Sequence, residues 1–155
     1  MKELIFDLKT FEEMDLRLLY EMGRLRQEVF IIEQECPYLD FDGRDYGAHH
    51  LFGYEDESRA EIAAYCRILP PATNYATQAC IGRVVTPTKL RGRDYGRKLM
   101  REAVAACLRL YPATEIRISA QSRLLQFYQE LGFVATTKEY LEDNIPHTEM
   151  YYPVV

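Results

Sequence analysis

The chain predicts an α/β or α+β domain. Three observations point there. Strand-like and helix-like patterns alternate along its whole length. Two amphipathic stretches, near residues 15–32 and 96–111, have apolar residues at helical spacing. The last third ends in two β-rich runs around a DNIP turn. At 155 residues the chain suits a single domain over 1–155, with a sizeable core.

The elements follow in order. ELIFD, residues 3–7, reads as a short strand. Residues 11–16 offer a turn and a helix start. Leu18, Met22, Leu25, Val29 and Phe30 then mark an amphipathic helix over 15–32. ECPYLDFDGRDYGA, rich in Pro, Gly and Asp, is a loop. HHLFGYED and the segment from Ala60 to Leu69 read as two strands around a DES turn. PPATNYATQ is a second loop, and ACIGRVVT is a β-rich run. From Gly96, residues Leu99, Ala103, Ala106, Cys107 and Leu110 share one helical face until Pro112 stops the helix. EIRISA alternates as a strand does. RLLQFYQELGF is a short helix with Gly132 placed as its C-cap. FVATTKEYLED and HTEMYYPV form the closing strands. The expected order is β-α-β-β-β-α-β-α-β-β.

Composition narrows the class. Hydrophobic residues make up 48%, an ordinary globular share. No apolar run approaches the roughly 20 residues that span a bilayer, and MKELIFDLKTFEEMD has acids where a signal peptide has its apolar core. No membrane partner is expected. Cys36, Cys66, Cys80 and Cys107 match no zinc or redox spacing, and three of them lie in apolar runs. They read as small buried hydrophobes, which implies a reducing compartment and hence the cytoplasm. The formal net charge of -5 argues against general nucleic-acid binding. DFDGRD echoes a calcium loop, but its spacing fails, and no metal is expected.

Against that acidic total, Lys89, Arg91, Arg93, Arg97, Lys98 and Arg101 crowd one turn, opposed locally only by Asp94 and Glu102. A strand entering a glycine turn and then a helix is an anion-binding arrangement. The first helical N–H groups lack internal partners, and the helix dipole adds positive charge at the same end. Gly92 and Gly96 would let a ligand approach the backbone, with Arg91, Arg93 and Arg97 adding charge-assisted hydrogen bonds. Asp94 and Tyr95 complete the turn. No GxxxxGK[ST] or GxGxxG occurs, so neither a nucleotide P-loop nor a dinucleotide fingerprint is present.

RGRDYGRKLM resembles the acyl-CoA pyrophosphate loop of the GNAT acetyltransferases, [RQ]-x-x-G-x-[GA], with Arg91 first, Gly96 last and Asp94 where the middle glycine usually stands. LLQFYQELGF resembles the GNAT helix that carries a Tyr and ends at Gly-Phe, here Tyr128, Gly132 and Phe133. RQEVFIIEQECPYLDFDGRD, AHHL, IGRVV and YLEDNIPHTEM resemble the ElaA-type subgroup, in order and over about residues 16–152. The resemblance implies a GNAT-like acyl-CoA N-acyltransferase fold with a mixed, mostly antiparallel sheet. It implies acetyl-CoA as co-substrate and a small-molecule or peptide amine as acceptor. It also implies pairing into homodimers through sheet edges or the C-terminal strands. Val84, Val85 and Thr86, on a strand that splays from its neighbour, would pair with the pantetheine amides. Gln121 stands where the family often has a cofactor-binding Asn.

Direct attack by an amine needs a base, a donor to the thioester oxygen and an acid for the leaving thiolate. The resemblance puts Tyr128 at the sulfur as the acid. Glu33, His50 and His147 are the candidate bases, since histidine titrates near neutrality; His49 and His50 alternate on a strand, so only one can face a site. Asp40, Asp42, Asp45, Glu142 and Asp143 could draw a cationic amine, although loop solubility and turn formation explain most of them. Because Asp94 departs from the family loop, a second reading is an acyl-CoA-binding module that senses without turnover.

Overall fold

In the computed structural model, which describes residues 2–154, seven strands form one mixed sheet. They are β1 (Ile5–Thr10), β2 (His49–Tyr54), β3 (Ala64–Leu69), β4 (Ala79–Val85), β5 (Ile116–Gln121), β6 (Val134–Glu142) and β7 (Ile145–Tyr152). Their order across the sheet is β1-β2-β3-β4-β5-β7-β6. Every neighbouring pair is antiparallel except β4 and β5, which are parallel and meet at only two pairs, Ala79 with Ile116 and Cys80 with Arg117. Three helices are α1 (Leu16–Arg26), α2 (Tyr95–Leu110) and α3 (Leu125–Glu130). The order of strands and helices is the one expected from the sequence.

Some boundaries differ. The first strand lies at Ile5–Thr10 rather than 3–7, because its partner β2 sets the register from Ile5 opposite Tyr54 to Thr10 opposite His49. The third strand begins at Ala64 rather than Ala60, since the chain turns at Asp56–Arg59 first. The first long helix changes character: α1 starts at the Asp15 cap, whose carboxylate accepts the Leu18 N–H at 2.7 Å. It then widens into a π-helical segment, Gln27–Glu33. There the Gln34 N–H donates to the Val29 carbonyl, five residues back.

Each sheet face buries its own core. On one face Leu99, Met100, Ala103 and Cys107 of α2 pack over Cys66, Ile68, Ile81, Ile116, Ile118 and Met150. On the other, Met22, Leu25 and Val29 meet Phe52, Tyr54, Tyr65 and Val85. Each fully buried Leu or Ile contributes about 1.5–3 kcal/mol. All four cysteines are free and buried. Among the described residues no helix is long and apolar enough to cross a membrane.

Gly132 closes α3, with φ +102°. A Cβ there would lie 3.0 Å from the Tyr152 ring. Gly132→Ala is therefore expected to lower stability by about 1–3 kcal/mol, read as a shift in the urea midpoint. An unchanged midpoint would show that the turn relaxes freely.

Candidate active site

The site starts from two irregularities in β4. On one side its pairing with β5 stops after Cys80. On the other, Tyr65 faces Val85 but Arg67 faces Gly82, so Arg83 and Val84 together oppose Cys66. This is a β-bulge, with Arg83 at φ +52°. Bulges bend and twist a strand, and here the end of β4 leaves β5. A cavity of about 820 Å³ includes the resulting gap. Val84, Val85, Thr86, Arg91, Gln121, Tyr128, Glu33 and His147 all border it. The fold thus brings eight expected site residues, far apart in sequence, to one hollow.

The turn after β4 presents backbone donors. Among the described residues, the N–H groups of Gly92, Arg93, Asp94, Tyr95, Gly96 and Arg97 have no protein acceptor; the helical ladder resumes with Lys98 donating to the Asp94 carbonyl at 3.2 Å. Gly92 has φ +82° and Asp94 φ +66°. The Asp94 side chain does not cap α2 and pairs instead with Arg97 at 3.2 Å. The local charge excess read from the sequence is compensated from a distance. Arg93 meets Glu55 at 3.1 Å, Arg97 meets Glu130 at 2.9 Å and Lys89 meets Glu61 at 2.7 Å. Tyr95 turns its side chain inward, donating to Glu55 at 2.6 Å. Its backbone N–H alone remains for a ligand. A Cβ on Gly96 would make only an ordinary contact with Phe127.

Tyr128 is 8% exposed, and among the described residues its hydroxyl has no hydrogen-bond partner. Burial pushes its pKa up to about 12. It is a protonated donor facing the cavity. His147 lies across from Gln121 in the β5–β7 pairing. Its Nδ1 stands 2.7 Å from the Ile145 carbonyl oxygen and so must donate there. That leaves Nε2, 3.3 Å from Glu142 Oε2. Its ring stacks on Tyr140, whose hydroxyl donates to Ser119.

Two of the base candidates have other employment. His50 does not border the cavity. It is fully buried, with Nδ1 at 2.7 Å from the Tyr65 hydroxyl and Nε2 at 2.9 Å from the Asp45 carbonyl. Burial lowers its pKa and keeps it neutral. Its alternation partner His49 points to the other face and does not border the cavity either. Glu33 borders the cavity, but Arg91 grips both its oxygens at 2.8 and 2.7 Å and Thr88 adds a third bond at 2.9 Å. Led by the Arg91 bond, these hold its carboxyl below the usual range. A carboxylate so occupied is a poor base.

The comparisons with known proteins agree with this geometry. Residues 29–153 match the family model described as an acetyltransferase (GNAT) domain. The chain belongs to the GNAT acetyltransferase family. A UPF0039 protein of Synechocystis sp. is 38% identical over 152 residues, covering 98% of this chain and 97% of its own. Protein ElaA of Escherichia coli is 37% identical over 145 residues, covering 92% of each chain. Among solved structures, an acyl-CoA N-acyltransferase from Pseudomonas aeruginosa superposes with a TM-score of 0.88 at 40% identity, over 97% of this chain and 100% of that one. Escherichia coli ElaA gives a TM-score of 0.88 at 33% identity, with the same coverage. The chain is thus a GNAT protein of the ElaA kind, in a family of acyl-CoA-dependent transferases.

One feature of this GNAT protein escaped the sequence reading. Asp40, Asp42 and Asp45 are neither solubilising loop charges nor free attractants for an amine. Arg26 Nε donates to Asp40 at 2.8 Å and its Nη1 to Asp45 at 2.7 Å. Arg67 donates to Asp42 at 2.8 and 3.0 Å and to Asp45 at 3.2 Å. Arg83, from the bulge, reaches Asp40 at 2.8 Å and Asp42 at 3.3 Å. Three arginines and three aspartates balance one another, and Arg26 and Arg67 are 0% and 2% exposed. The cluster pins the 36–47 loop against β3 and the β4 bulge, and so holds open one wall of the cavity.

Proposed function

We propose that this chain transfers an acetyl group from acetyl-CoA to a primary amine by direct attack in a ternary complex. The observation that carries the reading is Tyr128, a buried residue whose hydroxyl is protonated and, among the described residues, without a partner, at the wall of a cavity that meets the β4 edge. The six free N–H groups from Gly92 to Arg97, with Arg91 beside them, suit the pyrophosphate of coenzyme A. The β4 edge at Val84, Val85 and Thr86 suits the pantetheine amides, and Gln121 stands across the gap.

In the reaction the amine nitrogen forms a bond to the thioester carbon, and the carbon–sulfur bond breaks. His147 takes the amine proton at Nε2, with Glu142 placed to accept a hydrogen bond from the imidazolium. An N–H on the β4 edge polarises the thioester oxygen. Tyr128 donates its proton to the leaving thiolate. Two thiols border the cavity, and burial works against the thiolate of each: Cys80 is pushed up to about 11, and Cys36 is raised. Neither suits an acetyl-enzyme intermediate, which favours direct attack over a ping-pong route.

Calorimetric titration with acetyl-CoA tests the cofactor. Wild type is expected to bind in the micromolar range. Arg91→Ala removes a charge-assisted contact, and Gly96→Asp sets a carboxylate against the phosphates. Each is expected to weaken binding about tenfold or more. No binding to wild type would withdraw the acetyl-CoA reading. Unchanged affinity in both variants would move the pyrophosphate elsewhere.

A further inference from the structure

Four cations around the glycine turn are held by carboxylates from elsewhere in the fold. Arg91 is held by Glu33, Arg93 by Glu55, Arg97 by Glu130 and Lys89 by Glu61. Only the first pair borders the cavity; the other six residues do not. Its geometry is that of an anion site already filled. Arg91 Nη1 donates to Glu33 Oε1 at 2.8 Å and Nη2 to Oε2 at 2.7 Å. A guanidinium grips a phosphate with the same fork. The Arg91 and Glu33 side chains are 42% and 36% exposed, against 0% and 8% for Arg26 and Asp40. A pair so wet is weakly held and can exchange partners, whereas a buried pair is costly to break.

Glu33 also ends the π-helical segment Gln27–Glu33. Within it only Val29 is buried, and Ile32 is 65% exposed. Among the described residues, the segment's side chains make no hydrogen bond beyond α1 except those of Glu33, to Arg91 and Thr88. Val29, Phe30 and Glu33 line the cavity. This wall is therefore tied to the glycine turn by one carboxylate.

We propose that Glu33 is an internal counter-ion that sets coenzyme affinity: a coenzyme phosphate takes its place on Arg91, and the freed carboxylate releases the Gln27–Glu33 wall. This rests on the coenzyme reading of the cavity and adds an affinity-setting residue to it. Both anions cannot share the fork without their charges meeting at close range. The phosphate also draws on the free N–H groups of the turn, which the carboxylate does not reach, so exchange favours the ligand. Its cost is the broken pair, and that cost holds affinity down.

Glu33→Gln tests the exchange. The amide keeps an acceptor for Thr88 and removes the charge, at a side chain exposed enough for the fold to stand. Calorimetric titration with acetyl-CoA should show binding about fivefold tighter than wild type. Glu61→Gln is the control. It unpairs Lys89 on the same turn, away from the cavity, and should change affinity by less than about twofold. Hydrogen exchange followed by mass spectrometry reads the wall. Peptides over 27–34 should exchange faster in wild type with acetyl-CoA bound than without it. In Glu33→Gln they should be fast in both states.

Weaker binding in Glu33→Gln would overturn the proposal by making Glu33 a support for Arg91. Unchanged binding would overturn it by showing that the two anions do not compete. An equal gain in Glu61→Gln would do the same, reducing the effect to net charge. Slower or unchanged exchange over 27–34 in coenzyme-bound wild type would show that the wall stays tied, and would equally sink the idea. Failure of wild type to bind acetyl-CoA is the separate result that removes the coenzyme reading itself.

Discussion

Arg26→Met is expected to lower stability by about 3–5 kcal/mol, a fall in Tm of roughly 6–20 °C for a chain of this size. The arginine is 0% exposed and makes side-chain bonds to Asp40 and Asp45 and a third, at 2.8 Å, to the Asp40 carbonyl. Removing it leaves carboxylates that burial has already stripped of water, and that desolvation sets the magnitude. Arg26→Lys keeps the charge but not the fork, and should recover less than half of the loss. The cluster also has an acid limit. Burial alone would raise the Asp42 pKa, but the bonds from Arg67 and the Arg44 N–H prevail and hold it below the ordinary carboxylate range. Its contribution is full above that ordinary range and is lost as pH falls through the depressed value. Thermal melts followed by circular dichroism at neutral pH would decide the matter. A loss under about 1 kcal/mol would mean that water or nearby groups replace the guanidinium.

Tyr128→Phe should have the opposite profile: a large kinetic effect on an unchanged scaffold. The hydroxyl has no protein partner among the described residues, so its removal leaves nothing unpaired, and Tm should move by less than the equivalent of about 1 kcal/mol. As a general acid it is worth about 10²-fold or more in kcat. Acetyl-CoA affinity should stay within a few-fold, because the proposed contacts to the phosphates and amides lie elsewhere. With its pKa pushed up to about 12, the phenol stays protonated through the accessible alkaline range. Any loss of activity between pH 8 and 10 in wild type would then belong to another group. A kcat for Tyr128→Phe within threefold of wild type, measured under saturation, would remove the tyrosine from the chemistry.

Much of the fold was legible because its signals are local. The 3.6-residue stripe of α2, the alternation in β5 and the glycine that closes α3 each follow from a few neighbouring residues. The glycine turn at 91–97, with its unpaired N–H groups, was legible for the same reason. Long-range pairing was not. Nothing near Arg91 or Arg93 announces Glu33 or Glu55, so the turn looked more positive than it is. His50 looked available because exposure is a property of the tertiary fold. The arginine–aspartate cluster did leave a trace. Arg26 sits on the apolar stripe of Met22, Leu25 and Val29, and Arg67 sits inside the run AYCRIL. A charge on a buried stripe requires a buried partner, and the aspartate-rich loop lies between the two arginines. The bulge at Arg83 could not be read, since it arises from mismatch between two strands rather than from either alone.

The seam between β4 and β5 has a consequence for how long the protein survives. Two residue pairs join a four-stranded leaf, β1 to β4, to a three-stranded leaf, β5, β7 and β6. Helix α2 lies mainly against β3 and β4 and shares one core with Ile116, Ile118 and Met150 of the other leaf. Such a seam is where a chain opens first, and opening there exposes strand edges to proteases and to other copies. A ligand laid along the gap would bridge the leaves and raise the opening energy by mass action. The lifetime of the polypeptide would then follow the supply of its own acyl donor, with starved molecules cleared before well-fed ones.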